Sequence, residues 1–474
     1  MPEWQKSSPN SIKTTLFKRG ANLRIIIFAL LALLFSACGR VDSDGLVVII
    51  EPEELREFSQ DPLFYYKLQS QQDFLADEKL SKEEITRLKK QYLESLFLPW
   101  SEKPNKNKKE VFWITPNFVK LLMSSYGENL KPYTQKQAQD LLDSMRINTY
   151  PSINKKAIIT KTTSVRVVPS ILPRFSTQYG YPIDRWQNSL IFAGTPVLVT
   201  HFDSSRRFLH IQSGFVYGWV ESSDVAFVSE KDEKKIRDFS DYVATNVEST
   251  HLLDSTNGYI TTARLGQVFA FNQKGSNAKE YELYTYIRQD NGYVKIITTK
   301  SKKSNFMPFP QDFNKEKIAT LLSQVMGKQY GWGGLYEERD CSALVRDIYA
   351  LNGIFLPRNS KAQGFFGKMH QDISTLSLEE KEEYIITNGE PFYTILWLQG
   401  HIAIYIGTYK GKAMIAHSSW AINEGKSKKV LGGIVITDLH IGGKENSLLL
   451  RIGAMSNLRH IREKILQSPK PLVR

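Results

Sequence analysis

The chain has 474 residues, too many for one hydrophobic core, and at 41% hydrophobic and 12% aromatic it is globular rather than disordered. Its formal charge of +13 suits polyanionic surroundings such as cell wall or anionic lipid. The Lys and Arg residues are scattered rather than gathered in a stripe, which argues against nucleic acid, and two cysteines cannot form a disulfide framework.

Lys18, Arg19 and Arg24 precede an apolar run from Ile25 to Ala37. That run falls short of the roughly 20 residues a bilayer span needs and fits the core of a signal peptide. Leu34-Phe35-Ser36-Ala37-Cys38-Gly39 resembles a bacterial lipobox, which implies lipidation of Cys38, cleavage before it and a membrane anchor. Residues 1–37 hold five Lys or Arg and one Glu, so their removal leaves +9. Cys341 is then the remaining thiol.

From Leu46 to Tyr150 the pattern is helical. Ser81 and Glu84 make a capping-box pair, followed by Ile85, Leu88, Tyr92 and Leu96 on one face. Residues 104–110 read as a solvated loop. Thr115-Pro116 starts a helix with Pro in its first turn, and Thr134 with Gln137 starts another. These helices are expected to form one packing domain, 38–150.

After Pro151 the period becomes alternating. Strands are expected at Lys156–Thr160, Ser164–Val168, Thr195–His201, Phe208–Gln212 and Tyr217–Val220. With its closing Gly218-Trp219-Val220, the segment 151–232 resembles a bacterial SH3-like domain. A second all-β block, 233–308, has strands near Tyr259–Thr262, Gln267–Phe271, Glu282–Arg288 and Tyr293–Thr298. His201, His210 and His251 have no carboxylate or cysteine at ligand spacing and read as packing or surface residues. No metal or cofactor is expected.

Asp312 to Gln329 reads as an amphipathic helix, leading to Tyr330-Gly331-Trp332-Gly333-Gly334 and a charged loop, Glu337, Glu338 and Arg339, expected to be exposed. Asp340 is a good N-cap, which makes Cys341 the first residue of a helix with Leu344, Val345, Ile348 and Leu351 on one face. A thiol there meets free backbone N–H groups and the positive end of the helix dipole, both of which favour thiolate.

Downstream, His401 opens a strand that turns through Thr408-Tyr409-Lys410 and returns to His417. A hairpin centred on Tyr409 puts the two histidines directly opposite each other on one face, with Cβ atoms about 5 Å apart. A slip of one residue would separate them.

Asp340-Cys341-Ser342-Ala343, then Gly400-His401-Ile402-Ala403-Ile404-Tyr405, then Ala416-His417-Ser418-Ser419 resembles the NlpC-type papain-like cysteine peptidases, over 309–474. With the lipoprotein signal and SH3-like segments, the chain is similar to γ-D-glutamyl-L-diamino acid endopeptidases. The resemblance implies an α+β multidomain fold in which two SH3-like barrels and the helical domain precede a catalytic domain of helices on an antiparallel sheet. It makes Cys341 the nucleophile, His401 the base and His417 the residue that orients it. Tyr330 lies near the oxyanion, Trp332 lines the cleft, and Asp340 and Ser342 contact the peptide. Relatives often carry an aspartate where Asn359 stands, and that aspartate helps hold the free amine of an N-terminal L-Ala. Asn359 supplies no charge, and it also fits a helix cap.

The implied substrate is a murein peptide, the implied setting the cell envelope, and the expected state a monomer. A papain-like amidase or acyltransferase would use the same chemistry. A non-catalytic wall-binding lipoprotein would have no need of Cys341, His401 and His417 together.

Overall fold

The structure, a computed structural model, describes residues 47–49, 55–69, 79–424 and 427–472. The lipobox and Cys38 lie outside the described residues.

The N-terminal helices are α1 (Pro62–Gln69), α2 (Lys82–Leu96), α3 (Lys108–Val111), α4 (Phe118–Met123) and α5 (Gln135–Ser144). Both capping boxes form, Ser81 with Glu84 and Thr134 with Gln137. Two starts differ from expectation. The basic loop contains α3, because Val111 is drawn into a core with Phe112 and Phe118. Pro116 does not open α4; Asn117 in a left-handed conformation does, two residues later than the Pro signal.

These helices do not share a core of their own. Tyr65 and Leu88, on α1 and α2, belong to the core of the C-terminal domain, and Gln91 Nε2 donates to the carbonyls of Ile465 and Ser468 at 2.8 and 2.7 Å. Val111, Phe118, Leu122 and Ala138 instead pack on Trp186, Phe208 and Trp219 of the first β-domain. The segment therefore braces two bodies at once.

The first β-domain has β2 (Lys155–Ile159), β3 (Thr163–Arg166), β4 (Gln187–Ile191), β5 (Pro196–Phe202), β6 (Phe208–Gln212), β7 (Tyr217–Glu221) and β8 (Val225–Phe227), in the order β4-β3-β7-β6-β5-β2-β8. After α6 (Glu230–Arg237) the second has β9 (Tyr242–Thr245), β10 (Ser249–Leu253), β11 (Tyr259–Arg264), β12 (Val268–Asn272), β13 (Glu280–Arg288), β14 (Val294–Lys302) and β15 (Phe306–Pro308), in the order β11-β10-β14-β13-β12-β9-β15. Strand for strand the two orders are the same. Topology thus makes the second block SH3-like although its sequence carries weaker motifs. His201 and His210 are buried where the first barrel meets the N-terminal helical segment, against Phe112, Tyr150 and Trp219, with Nδ1 atoms 2.7 Å from the hydroxyls of Ser152 and Thr200. His251 is exposed.

The C-terminal domain opens with α7 (Lys315–Val325), shorter than the periodicity suggests because Asn314 caps it and the chain turns at Met326-Gly327. Then come α8 (Cys341–Ala350), α9 (Ser360–Gly364), α10 (Leu378–Asn388) and α11 (Leu458–Gln467). The sheet comprises β16 (Gln371–Asp372), β17 (Thr394–Leu398), β18 (His401–Tyr409), β19 (Lys412–Glu424), β20 (Ser427–Asp438) and β21 (Ile452–Asn457), joined at one edge by β1 (Val47–Ile49), which pairs in parallel with β20. Ile402, Ile404, Ala416 and Ile436 meet Leu344, Val345 and Ile348 of α8 in the main core. Ala403, Tyr405 and Ile415 face a second core containing Ile385 of α10. One face of the sheet thus carries the cysteine helix.

Candidate active site

Asp340 is the N-cap of α8, its Oδ1 accepting from the Ala343 N–H at 2.8 Å, and Cys341 is the first helical residue. The thiol is buried and lies against the backbone N–H of Ile402, the neighbour of His401. That N–H and the one of Ser342 favour thiolate, as the helix terminus suggests. They are outweighed. Burial, with the Asp340 carboxylate next door, pushes the thiol up to about 12. The cap that makes the helix terminus therefore also opposes ionisation of the residue it presents. His401 goes the other way, down to about 4, through burial and the Arg451 cation. Both shifts favour a neutral thiol beside a neutral imidazole.

The hairpin that carries the histidines differs from the expected one. Tyr409 pairs with Lys412, so the turn is Lys410-Gly411, both at positive φ, as two-residue hairpins favour. That turn alone would set His401 and His417 on opposite faces. A bulge between Tyr405 and Gly407 absorbs one residue, after which Ile404 pairs with Ala416. Extending that register sets Ala403 opposite His417. The histidines are diagonal neighbours on one face, two residues from the directly opposed arrangement. Their rings still meet, with His401 Nε2 2.8 Å from His417 Nδ1 and centroids 5.1 Å apart. His417 is fully buried, and its Nε2 lies 3.2 Å from Thr437 Oγ1.

Asp340 and Ser342 are both buried and joined to a residue not assigned a role from sequence, Arg358. Its Nη2 and Nη1 reach the Asp340 carboxylate at 2.6 and 3.1 Å, and Nη1 also donates to Ser342 Oγ at 2.8 Å. Although burial alone would raise it, the Asp340 carboxyl is held below the usual range by Arg358 and by the Ala343 and Ser342 donors. The Gly333 N–H donates to its other oxygen at 3.1 Å. The pair is a bidentate fork that fixes the loops flanking Cys341. Its only signal in sequence is that Arg358 precedes Asn359. Asn359 is exposed and caps α9, its Oδ1 accepting from the Ala362 N–H at 2.8 Å.

Tyr330 is half-buried, and burial together with the nearby Asp340 and Cys341 raises its hydroxyl above the ordinary range, so that it stays a donor. Trp332 is half-buried, with the Arg185 guanidinium 4.9 Å from its ring centre.

Both β-domains reach the site. From β4, Ser189 Oγ accepts from Arg358 Nε at 2.8 Å and Gln187 Nε2 donates to the Gly333 carbonyl at 3.1 Å. From the second, Glu248 accepts both oxygens' bonds from Arg339 Nη1, at 2.9 and 2.8 Å, while Arg339 Nε bonds Asp347 at 2.8 Å. Arg339 is accordingly buried, against the expectation that its loop is exposed, because its charge is paired across the domain boundary.

Comparison with known proteins identifies the domains. Residues 327–432 match the NlpC/P60 family model, 27–150 the N-terminal NLPC_P60 stabilising domain, and 173–221 the SH3 domain of SH3b1 type. A solved NlpC/P60 endopeptidase from Photobacterium damselae subsp. piscicida shares the fold at TM-score 0.72 and 20% identity, covering 87% of this chain and 99% of that one. An NlpC/P60 family protein from Bacillus cereus aligns at TM-score 0.44 and 15% identity, over 64% of this chain and 99% of that one. No curated protein sequence matches. The C-terminal domain is a cysteine peptidase domain of the NlpC/P60 family, set behind a stabilising domain and an SH3 domain of the same kind of architecture.

Proposed function

We propose that this peptidase hydrolyses the bond between γ-D-Glu and a diamino acid in murein peptides. The observation that carries the reading is the buried Cys341 thiol at the Ile402 amide, beside a histidine pair bonded at 2.8 Å. In this reading His401 takes the thiol proton as Sγ attacks the γ-carbonyl carbon of D-Glu. The C–N bond breaks, His401 returns the proton to the leaving amine, and a thioester remains on Cys341. Water activated by the same imidazole then releases the acid. Tyr330 donates to the oxyanion.

The uncharged Asn359, its oxygen accepting in a helix cap, and an Asp340 neutralised by Arg358 support tolerance of a blocked amine. Incubation with L-Ala-γ-D-Glu-diaminopimelate, free and N-acetylated, and mass spectrometry of the products test this. Release of the dipeptide from both, with kcat/KM values within about threefold (under roughly 1 kcal/mol), is expected. An intact acetylated peptide beside a cleaved free one would refute the tolerance; two intact peptides would refute the substrate class.

A further inference from the structure

Ile415 pairs with Thr437 and His417 with Val435, so Thr437 stands diagonally from His417 on β20, as His401 does on β18. His401, His417 and Thr437 form one polar diagonal across three neighbouring strands. His417 and Thr437 are fully buried.

The protons along this line can be counted. Thr437 has one hydroxyl proton, and Oγ1 donates it to the Asp438 carbonyl at 2.9 Å. Towards His417 Nε2, 3.2 Å away, the oxygen can then only accept. With that proton on the Asp438 carbonyl, the shorter of the two contacts, His417 Nε2 carries its ring's hydrogen, which leaves Nδ1 as a lone pair. That lone pair faces His401 Nε2 at 2.8 Å, which must donate. The hydrogen of neutral His401 is thus on Nε2, and Nδ1 is left free to accept a proton.

We propose that Thr437 is a positioning residue which, through His417, fixes His401 in the tautomer whose Nδ1 is the base. This rests on the reading of His401 as the general base. In its absence nothing along the diagonal prevents His417 from carrying its hydrogen on Nδ1 and donating it to His401 Nε2. His401 would then be protonated on Nδ1 and unable to accept from a thiol.

The test uses the full chain, labelled with ¹⁵N in the imidazole rings, and the variants Thr437→Val and Thr437→Ser. In the wild type at neutral pH, ring ¹⁵N shifts are expected to show both His401 and His417 as Nε2–H tautomers. Thr437→Val, near-isosteric but without the acceptor, is expected to lower kcat about tenfold, the scale of one lost buried hydrogen bond. KM should stay within about twofold and the histidine shifts should move. Thr437→Ser keeps the oxygen and is expected to retain kcat within about threefold. A purely packing role predicts the opposite order, with Val tolerated and both tautomers unchanged. An Nδ1–H tautomer on either histidine of the wild type, or full kcat in Thr437→Val, would overturn the proposal. Should Thr437→Val fail to fold, the wild-type spectrum and the serine variant still decide it.

Discussion

At Cys341 two expectations drawn from the same residue pull apart. A helix N-terminus favours thiolate, yet the aspartate that caps this helix is itself charged and adjacent, and the thiol is buried. Burial and Asp340 win over the amides, so the thiol enters the reaction protonated. His401 in turn remains unprotonated until about pH 4. Because its folded value lies below the ordinary 6.5, the neutral, base-competent form persists across the whole interval from 6.5 down to about 4. The acidic limb of the kcat/KM–pH profile is therefore expected near pH 4, and a limb at pH 6–7 would contradict the assignment. Linkage carries the same sign: the unfolded chain binds protons between pH 6.5 and 4 that folded His401 does not, so stability falls as pH drops through that window.

The β18–β19 hairpin shows how far local pattern reaches. Alternation and two histidines sixteen residues apart are legible in the chain, and they do share a face. Register is not, because it depends on Gly407. That residue sits at φ +109°, and a Cβ there would come within 2.3 Å of the Gln69 side chain. Gln69 Nε2 in turn donates to the Thr408 carbonyl at 2.8 Å, so α1 seals the bulge. Gly407→Ala is expected to cost about 1–3 kcal/mol in urea unfolding, the range for a strained backbone position. Activity should fall by more than stability accounts for, because a flattened bulge returns the histidines to opposite faces. Wild-type activity in a stable Gly407→Ala protein would show that the bulge does not set the pair. Thr437 escaped notice for a related reason: threonine on a β-rich strand has no signature, and only the third strand's placement brings it to His417.

Across the molecule, both SH3-like domains converge on the loops around Cys341. The α8 cap and its apolar face are local and readable. The buried Arg339 and the Asp340–Arg358 fork are not, because their partners Glu248 and Ser189 come from separate domains whose docking no local pattern encodes. This convergence explains why the β-domains have a structural part in the site as well as any affinity for wall. A buried ion pair holds only while both partners are present, so the loops flanking Cys341 are built on contacts from 90 residues away or more. All of these contacts surround the Cys341 thiol, whose Sγ is the proposed attacking atom. Acid-quenched reaction with L-Ala-γ-D-Glu-diaminopimelate, followed by tandem mass spectrometry, reads it directly. An L-Ala-γ-D-Glu acyl group is expected on the peptide bearing Cys341, with neither adduct nor turnover in Cys341→Ala. Turnover that persists in Cys341→Ala, or an acyl group on another residue, would contradict it.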